Sequence, residues 1–185
     1  MKTLKTQIRQ TRLATRRANG TKRNLRPANS QKAEPAIRIQ NILVPTDFSE
    51  QSRKALRYAV RMAEEFGARL TVLHVVQPLV YPDFAYAAIT MENDKLAEAA
   101  GARLDLLNKQ LEIDPALIRQ TLVRTGSPFH EISEAARTLK IDLIVISTHG
   151  RSGLTRALIG STAERVVRHA PCPVLVVREG EREFV

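Results

Sequence analysis

The chain has 185 residues, enough for one ordinary domain with some length to spare, and its 43% hydrophobic and 26% charged residues are typical of a soluble globular protein. A single cysteine excludes a disulfide framework or a multi-cysteine zinc module and indicates a reducing compartment. The lack of tryptophan and the 4% of aromatic residues argue against a stacking platform for single-stranded nucleic acid. No apolar run long enough to span a membrane and no secretory signal is seen, so we expect a cytoplasmic protein without a membrane partner.

The positive charge of the chain is concentrated at its N-terminus. Residues 1–38 hold 11 of the 29 basic residues and one of the 19 acidic residues, so they account for the net charge of +10 and the rest of the chain is balanced. Because it lacks a sustained apolar period, this segment is predicted to be a disordered basic tail. It could be a plain solvated extension, a transit-peptide-like address, or a segment that contacts nucleic acid or acidic surfaces weakly through its charge.

Beyond the tail, apolar patterns predict a strand, a helix and a second strand. Asn41–Pro45 is a short apolar run that is typical of a buried strand. A helix is expected from the cap residue Ser49 to about Phe66, and Arg69–Val76 is β-branched and apolar, as in a strand. Residues 77–90 contain two prolines and no clean period, which predicts a loop. The inward face of the helix is expected to carry four apolar residues: Leu56, Val60, Ala63 and Phe66.

The second half of the chain continues the alternation. Apolar residues spaced three or four apart predict a long amphipathic helix: Leu96, Ala100, Leu104, Leu107 and Leu111. Five further elements follow, in the order strand, helix, strand, helix, strand: residues 116–124, a helix begun by Ser127 and Pro128, Leu143–Ser147, residues 161–169 and residues 173–178.

Strands that alternate with helices of this length predict an α/β domain, in which a doubly wound parallel sheet is covered on both faces. We expect this domain to span residues 39–180, with a short tail at 181–185. In such a sheet, ligands bind at the carboxyl ends of the strands, where the strand order reverses. The residues that follow each strand are therefore the first candidates for a functional site.

The segment after the fourth predicted strand has the features of an anion site. Gly150 and Gly153 allow a ligand to approach the backbone closely, and Gly160 precedes a helix whose first N–H groups lack helical partners. The segment is neither a P-loop nor a dinucleotide-binding glycine motif. Ser161 and Glu164 also match a capping box, in which Ser161 would serve the helix without any ligand. The residues alone leave phosphate contact and capping as equal alternatives.

Four separate stretches resemble the universal stress protein family. They are residues 42–49 (ILVPTDFS), residues 73–76 (LHVV), the glycine-containing segment just described, and residues 170–177 (APCPVLVV). The resemblance covers about residues 40–178 and excludes the tail. It implies an adenine nucleotide alpha hydrolase-like fold, with a five-stranded parallel sheet in the order 3-2-1-4-5, and a homodimer that pairs the last strands.

The resemblance also implies an ATP site, with Mg²⁺ accompanying the phosphates, in those members that carry a G-x2-G-x9-G-[ST] loop. In this chain the second and third glycines of the loop fall on Gly150 and Gly160, but Ser147 stands at the position of the first. The side chain of Ser147 would lie against the ribose, where its hydroxyl could bond the sugar.

The other ligand contacts are carried over from the family residue by residue. Asp47 resembles the acid that binds the ribose, although it could instead form an Asx turn into the first helix. Val75 would meet adenine through its backbone, and Pro45 and Ile146 would line the pocket. The phosphates would be held by Gly150, Gly160, Ser161 and Thr162.

Neither a catalytic group nor a metal site is predicted. His169 and Cys172 lack the further cysteines or carboxylates that a metal site needs, and no carboxylate pair or activated nucleophile suits hydrolysis. We therefore expect an ATP-binding regulatory homodimer in the stress response, with at most slow and incidental ATP hydrolysis. The alternative is a member that has lost nucleotide binding, marked by Ser147, and acts as a dimeric interaction module whose basic tail docks acidic partners.

Overall fold

The computed structural model describes residues 38–78, 86–148 and 160–182, in which strands and helices alternate along the chain. The elements are β1 (Asn41–Pro45), α1 (Glu50–Phe66), β2 (Arg69–Val76), α2 (Tyr86–Gln110), β3 (Ile118–Thr125), α3 (Pro128–Thr138), β4 (Leu143–Ser147), α4 (Ser161–His169) and β5 (Val174–Val177). The prediction of a disordered tail falls on residues outside the described part of the chain. Among the described helices, none combines the length and the apolar character needed to cross a membrane.

The five strands form one parallel sheet in the order β3-β2-β1-β4-β5, which confirms the predicted fold class. The central strand is β1, where Leu43 lies opposite Thr71 of β2 and Ile144 of β4. The strand order reverses between β1 and β4. The segments that leave the carboxyl ends of these two strands therefore diverge to opposite faces and open a crevice between them.

Each face of the sheet has its own hydrophobic core. Ile42 and Val44 of β1 belong to the core under α1 and α2, whereas Leu43 points the other way and packs with residues of α3 and α4. All three side chains are completely buried. Burial on both faces explains why the central strands are continuous apolar runs instead of alternating patterns.

Three element boundaries differ from the predictions. Residues 86–90 were expected in a loop but form the first turn of α2, because the last proline of the segment, Pro82, precedes them and they include good helix formers. The strand β3 begins at Ile118, because Pro115–Leu117 form a 3-10 turn that Asp114 caps. The last strand, β5, is one residue shorter at each end than predicted.

Two residues assigned to inward helix faces are exposed. Phe66 is 43% exposed, because it is the last residue of α1 and the chain turns away at Gly67, which has a φ of 64°. Leu96 is 40% exposed, because the side of α2 on which it lies borders a cavity. Three other residues of this helix face, Ala100, Leu104 and Leu107, are buried as expected, and Leu111 is partly buried against the same core.

Candidate functional site

A cavity of about 690 Å³ lies at the carboxyl ends of the strands, where the strand order reverses. Its walls include residues 45–48 at the end of β1 and just beyond, residues 73–77 of β2 and just beyond, residues 146–148 of β4 and just beyond, residues 160–163 at the start of α4, and Pro128 and Ile132 of α3. One face of α2 closes the side next to β2. The volume lies within the range of about 300–1,000 Å³ that is usual for small-molecule sites.

The cavity brings together eight of the nine residues predicted to bind the ligand: Pro45, Asp47, Val75, Ile146, Ser147, Gly160, Ser161 and Thr162. They come from four segments that are far apart in the chain. Gly150 lies outside the described residues, so its predicted contact has no structural counterpart here.

The start of α1 is held by a network of short polar side chains. Asp47 forms the Asx turn that the sequence allowed: its Oδ1 accepts hydrogen bonds from the N–H of Ser49 at 3.0 Å and from the hydroxyl of Ser49 at 2.6 Å. The Ser49 Oγ in turn accepts from the N–H of Ser52 at 3.2 Å and caps the helix. These bonds fix the orientation of the Asp47 carboxylate at the cavity wall and do not exclude a ligand contact as well.

Between Asp47 and Ser49, Phe48 adopts a left-handed backbone conformation with a φ of 66°, which is rare for an aromatic residue. Its N–H donates to the Thr46 Oγ1 at 3.1 Å, and this oxygen lies 3.0 Å from the Ser52 hydroxyl. Thr46 and Ser52 are both buried. Strained backbone of this kind persists where the surroundings determine it, and it is concentrated at functional sites.

Two cavity residues that were not predicted to belong to the site, His74 and Arg103, contact the Phe48 ring. The ring of His74 lies 4.4 Å from the Phe48 ring, and the guanidinium carbon of Arg103 lies 4.3 Å from the Phe48 centroid. The His74 Nδ1 is 2.8 Å from the carbonyl oxygen of Thr46; because a carbonyl only accepts, Nδ1 carries the proton. The LHVV stretch that resembles the family contains His74, so the sequence offered a reason to place His74 near the site. The helical pattern around Arg103 offered no such reason.

The start of α4 is built differently from the capping box that the sequence predicted. The N-cap is Gly160, so Ser161 is the first helical residue and its side chain cannot cap the helix as expected. The Gly160 N–H donates to the Thr148 carbonyl at 2.7 Å, and the Glu164 N–H makes the first helical bond, to the Gly160 carbonyl. The side chain of Glu164 pairs with Arg168 at 2.9 Å instead of reaching back.

With Gly160 as the N-cap, α4 presents a different set of backbone groups to the cavity. The N–H groups of Ser161, Thr162 and Ala163 precede the first helical hydrogen bond and therefore have no acceptor within α4. They carry the positive end of the helix dipole. Because all three residues line the cavity, this wall is suited to an anion such as a phosphate.

Ser147, which replaces the first glycine of the family loop, is the last residue of β4 and pairs with Val177 of β5. It lines the cavity and is 8% exposed. Its backbone is ordinary parallel strand, so the replacement of glycine by serine requires no unusual conformation. The change places a Cβ and a hydroxyl at the cavity wall.

Asp47 is the one carboxylate among the described residues that line the cavity. Within the described ranges, no three His, Cys, Asp or Glu side chains cluster closely enough to hold a metal ion unaided. A Mg²⁺ ion that accompanies nucleotide phosphates needs only one or two carboxylates, because phosphates and water supply the other ligands. The residues present therefore fit Mg²⁺ only as a companion of a bound nucleotide.

Cys172 and His169, considered above as metal ligands, lie away from this cavity. The pKa of the Cys172 thiol is raised, first by partial burial and then by the charge of Asp142, against the opposing effect of a hydrogen bond with the Ile144 backbone. A raised pKa disfavours the thiolate, which is the form that binds metals and attacks electrophiles. The His169 Nδ1 lies 2.8 Å from the Arg165 carbonyl, within its own helix.

The sheet and the position of the cavity define a doubly wound α/β protein whose ligand crevice lies at the switch in strand order. Residues 38–178 match the universal stress protein family, and the chain belongs to that family. A universal stress protein of Methanocaldococcus jannaschii is 36% identical over 145 residues, which cover 78% of this chain and 85% of that protein.

Solved structures give the same result for the fold. The universal stress protein UspA from Lactobacillus plantarum is 34% identical, with a TM-score of 0.68 over 77% of this chain and 99% of that chain. A universal stress protein that was solved in complex with cAMP is 24% identical, with a TM-score of 0.55 over 77% of this chain and 98% of that one.

Proposed function

We propose that this universal stress protein binds ATP together with Mg²⁺ in the cavity at the carboxyl edge of the sheet and acts as a nucleotide-dependent regulator. The observation that carries the proposal is the meeting of the predicted nucleotide contacts, drawn from four distant segments, around one cavity of suitable size. A protein of the same fold has been solved with cAMP, so the fold can hold an adenine nucleotide.

Each part of the nucleotide has a matching wall. The end of β2 at Val75 and the small apolar residues Ala99 and Ala100 of α2 offer an apolar surface for the base. Asp47, fixed by its turn, offers a carboxylate to the ribose hydroxyls. The first N–H groups of α4 offer donors to the phosphates.

We further propose that the protein is not an enzyme. The cavity carboxylate, Asp47, has one oxygen committed to two hydrogen bonds with Ser49. The histidine beside it, His74, uses Nδ1 to donate to a backbone carbonyl. Among the described residues that line the cavity, Asp47 is the one carboxylate, so no acid–base pair of carboxylates is present to activate water for attack on a phosphate. The bound nucleotide would then act by shifting the population of conformations next to the cavity.

The regulatory unit in this proposal is a homodimer that pairs β5 with its counterpart. β5 is an edge strand in which Val174, Leu175 and Val176 are only partly buried, and an apolar edge favours pairing with another strand. Pro173 and Val177 point their carbonyls at β4. Because backbone groups of successive residues point to alternate sides of a strand, Val176 turns its N–H toward the edge away from β4. The substitution Val176→Pro should therefore dissociate the dimer in analytical ultracentrifugation while the sheet stays folded.

The first test of nucleotide binding is to denature the purified protein and identify the released small molecules by mass spectrometry and ion exchange, followed by calorimetric titration of the ligand-free protein with ATP and Mg²⁺. Released ATP, or saturable binding at one site per chain, is the expected result. The absence of both would contradict the proposal.

Ser147 supports a second candidate function. Its side chain adds atoms to the cavity wall at a position that is glycine in the nucleotide-binding loop of the family. If this excludes the ribose, the chain acts as a dimeric interaction module, and the edge of β5 and the surface around it carry the function. The same titration separates the two, because the interaction module binds no nucleotide and still dimerises.

A further inference from the structure

A second groove of about 480 Å³ continues from the main cavity past the start of α4. Four residues line both spaces: Gln77, Pro128, Ser161 and Thr162. The groove therefore adjoins the N–H groups proposed above to hold phosphates and extends between the start of α3 and the first turns of α4. A ligand that extends beyond these donors would enter it.

The far side of this groove is formed by Arg165 and Phe129. The guanidinium carbon of Arg165 lies 3.4 Å from the centroid of the Phe129 ring, a stacked cation–π contact. Arg165 lies one helical turn after Ser161, and side chains in a helix tilt toward its N-terminus. The charge is therefore held next to the open end of α4.

Stacking on a ring occupies the face of a guanidinium but leaves the N–H groups at its edge available for an anion. Within the part of the chain that the structure describes, Arg165 forms no ion pair, and no carboxylate lines the groove. The neighbouring Arg168 differs, because it pairs with Glu164 at 2.9 Å. Arg165 is thus a cation that is oriented by the Phe129 ring and that no described carboxylate neutralises, in a groove that adjoins the first N–H groups of α4.

We propose that Arg165 binds the terminal phosphate of the nucleotide and makes the protein prefer ATP to AMP. The inference rests on the proposed function, since it assumes that a nucleotide occupies the main cavity. Arg165 would be a phosphate contact outside the family loop. The phosphate chain would then run from the first turn of α4 toward the Phe129 ring. A planar fork of donors is well suited to phosphate oxygens.

The test is calorimetric titration of the wild-type protein, Arg165→Gln, Arg165→Lys and Arg168→Gln with ATP and with AMP, each with Mg²⁺. Arg165→Gln should weaken ATP binding about tenfold or more, as expected for loss of a charge-assisted hydrogen bond, and change AMP binding less than about twofold. Arg165→Lys should retain part of the preference for ATP. Arg168→Gln, which removes the same charge from the same helix, should leave the preference unchanged.

The outcomes separate the two proposals. If the wild-type protein binds ATP and Arg165→Gln binds it equally well, or loses ATP and AMP binding in equal measure, the role of Arg165 is refuted and the proposed function stands. Equal losses in Arg165→Gln and Arg168→Gln would indicate a general charge effect and also refute it. If the wild-type protein binds neither nucleotide, both proposals fail. Thermal melting of each variant, expected to remain cooperative, shows that the losses do not come from unfolding.

Discussion

Two helices, α1 and α4, begin at the same edge of the sheet and face the same cavity, but their first turns are built differently. At α1, Ser49 caps the helix and Asp47 holds Ser49. At α4, the cap residue is Gly160, which has no side chain to give. Side chains of the protein therefore satisfy the start of α1, whereas among the described residues no side chain caps α4 and its first N–H groups have no acceptor within the helix.

This difference indicates that the two helix starts have different roles at the cavity. The closed start of α1 supports Phe48 in its left-handed conformation and positions the Asp47 carboxylate. The open start of α4 offers N–H groups whose desolvation without an acceptor costs about 1–3 kcal/mol each. The turn at α1 fixes the position of a carboxylate, and the start of α4 presents backbone N–H groups to the cavity, so substitutions at α1 should change both stability and binding, whereas those at α4 should change mainly binding.

The largest effect is expected at the open start of α4, from the substitution Gly160→Val. The branched side chain would occupy the space in front of the first N–H groups, and nucleotide binding should fall below detection in calorimetry. Gly160 has a φ of −58° and a ψ of 148°, which any residue can adopt, so folding should lose at most about 1 kcal/mol.

The control for this substitution is Gly101→Ala in α2. A Cβ at Gly101 meets nothing within 4 Å, so alanine should stabilise the helix by about 0.5–1 kcal/mol and leave binding unchanged. Normal ATP binding by Gly160→Val would show that the start of α4 is not the phosphate wall.

At the start of α1, substitutions of Asp47 should separate the effect of the turn on stability from the effect of the carboxylate charge on ATP affinity. Asp47→Asn keeps an oxygen for the turn with Ser49 but loses the negative charge, so ATP affinity should fall about tenfold with little change in stability. Asp47→Ala also removes the turn and should cost about 1 kcal/mol of stability in addition. Calorimetry and chemical denaturation measure the two effects, and an Asp47→Asn variant with unchanged affinity would exclude a ribose contact.

A pair of serine-to-alanine substitutions compares Ser49, which caps α1, with Ser161, which follows the N-cap of α4. Ser49→Ala should lower the free energy of unfolding by about 1 kcal/mol, because a capping hydrogen bond is lost. Ser161→Ala should lower it by less than about 0.5 kcal/mol, because Ser161 is not the cap. Urea denaturation of both variants measures these changes. Equal losses of unfolding free energy would instead support the capping box that the sequence predicted.

The smallest effect is expected for Ser147→Gly, which restores the glycine of the family loop. If the cavity accommodates the serine, ATP affinity should change by less than about threefold, and a glycine in β4 should cost about 0.5–1 kcal/mol of stability. A gain in affinity of two orders of magnitude would show instead that Ser147 blocks the site.

The sequence was informative wherever the determining contacts are local. Apolar runs located β1, β2 and β4 at their observed ends, and Ser49 was recognised as the cap of α1 because the residues that it serves lie within one turn. The resemblance to the family supplied the strand order and the residues of the cavity wall.

The failures within the site concern contacts between distant segments. The cap of α4 is fixed by the bond from Gly160 to Thr148, which lies 12 positions earlier in the chain, and the local pattern around Ser161 cannot show it. Arg103 and Arg165 follow helical patterns as solvent-facing residues. Their positions over Phe48 and Phe129 depend on how the helices pack, and a local pattern does not contain that information.

A titration of the ¹⁵N-labelled protein with ATP and Mg²⁺, followed through the backbone amide resonances, tests most directly whether the first N–H groups of α4 bind phosphate. We expect the largest shifts from Ser161, Thr162 and Ala163, whose N–H groups would gain an acceptor. The amides of Ser49 and Ser52, already bonded to Asp47 and Ser49, should shift much less. No shift at the start of α4, or larger shifts at the start of α1, would contradict the assignment of an open, phosphate-binding helix end.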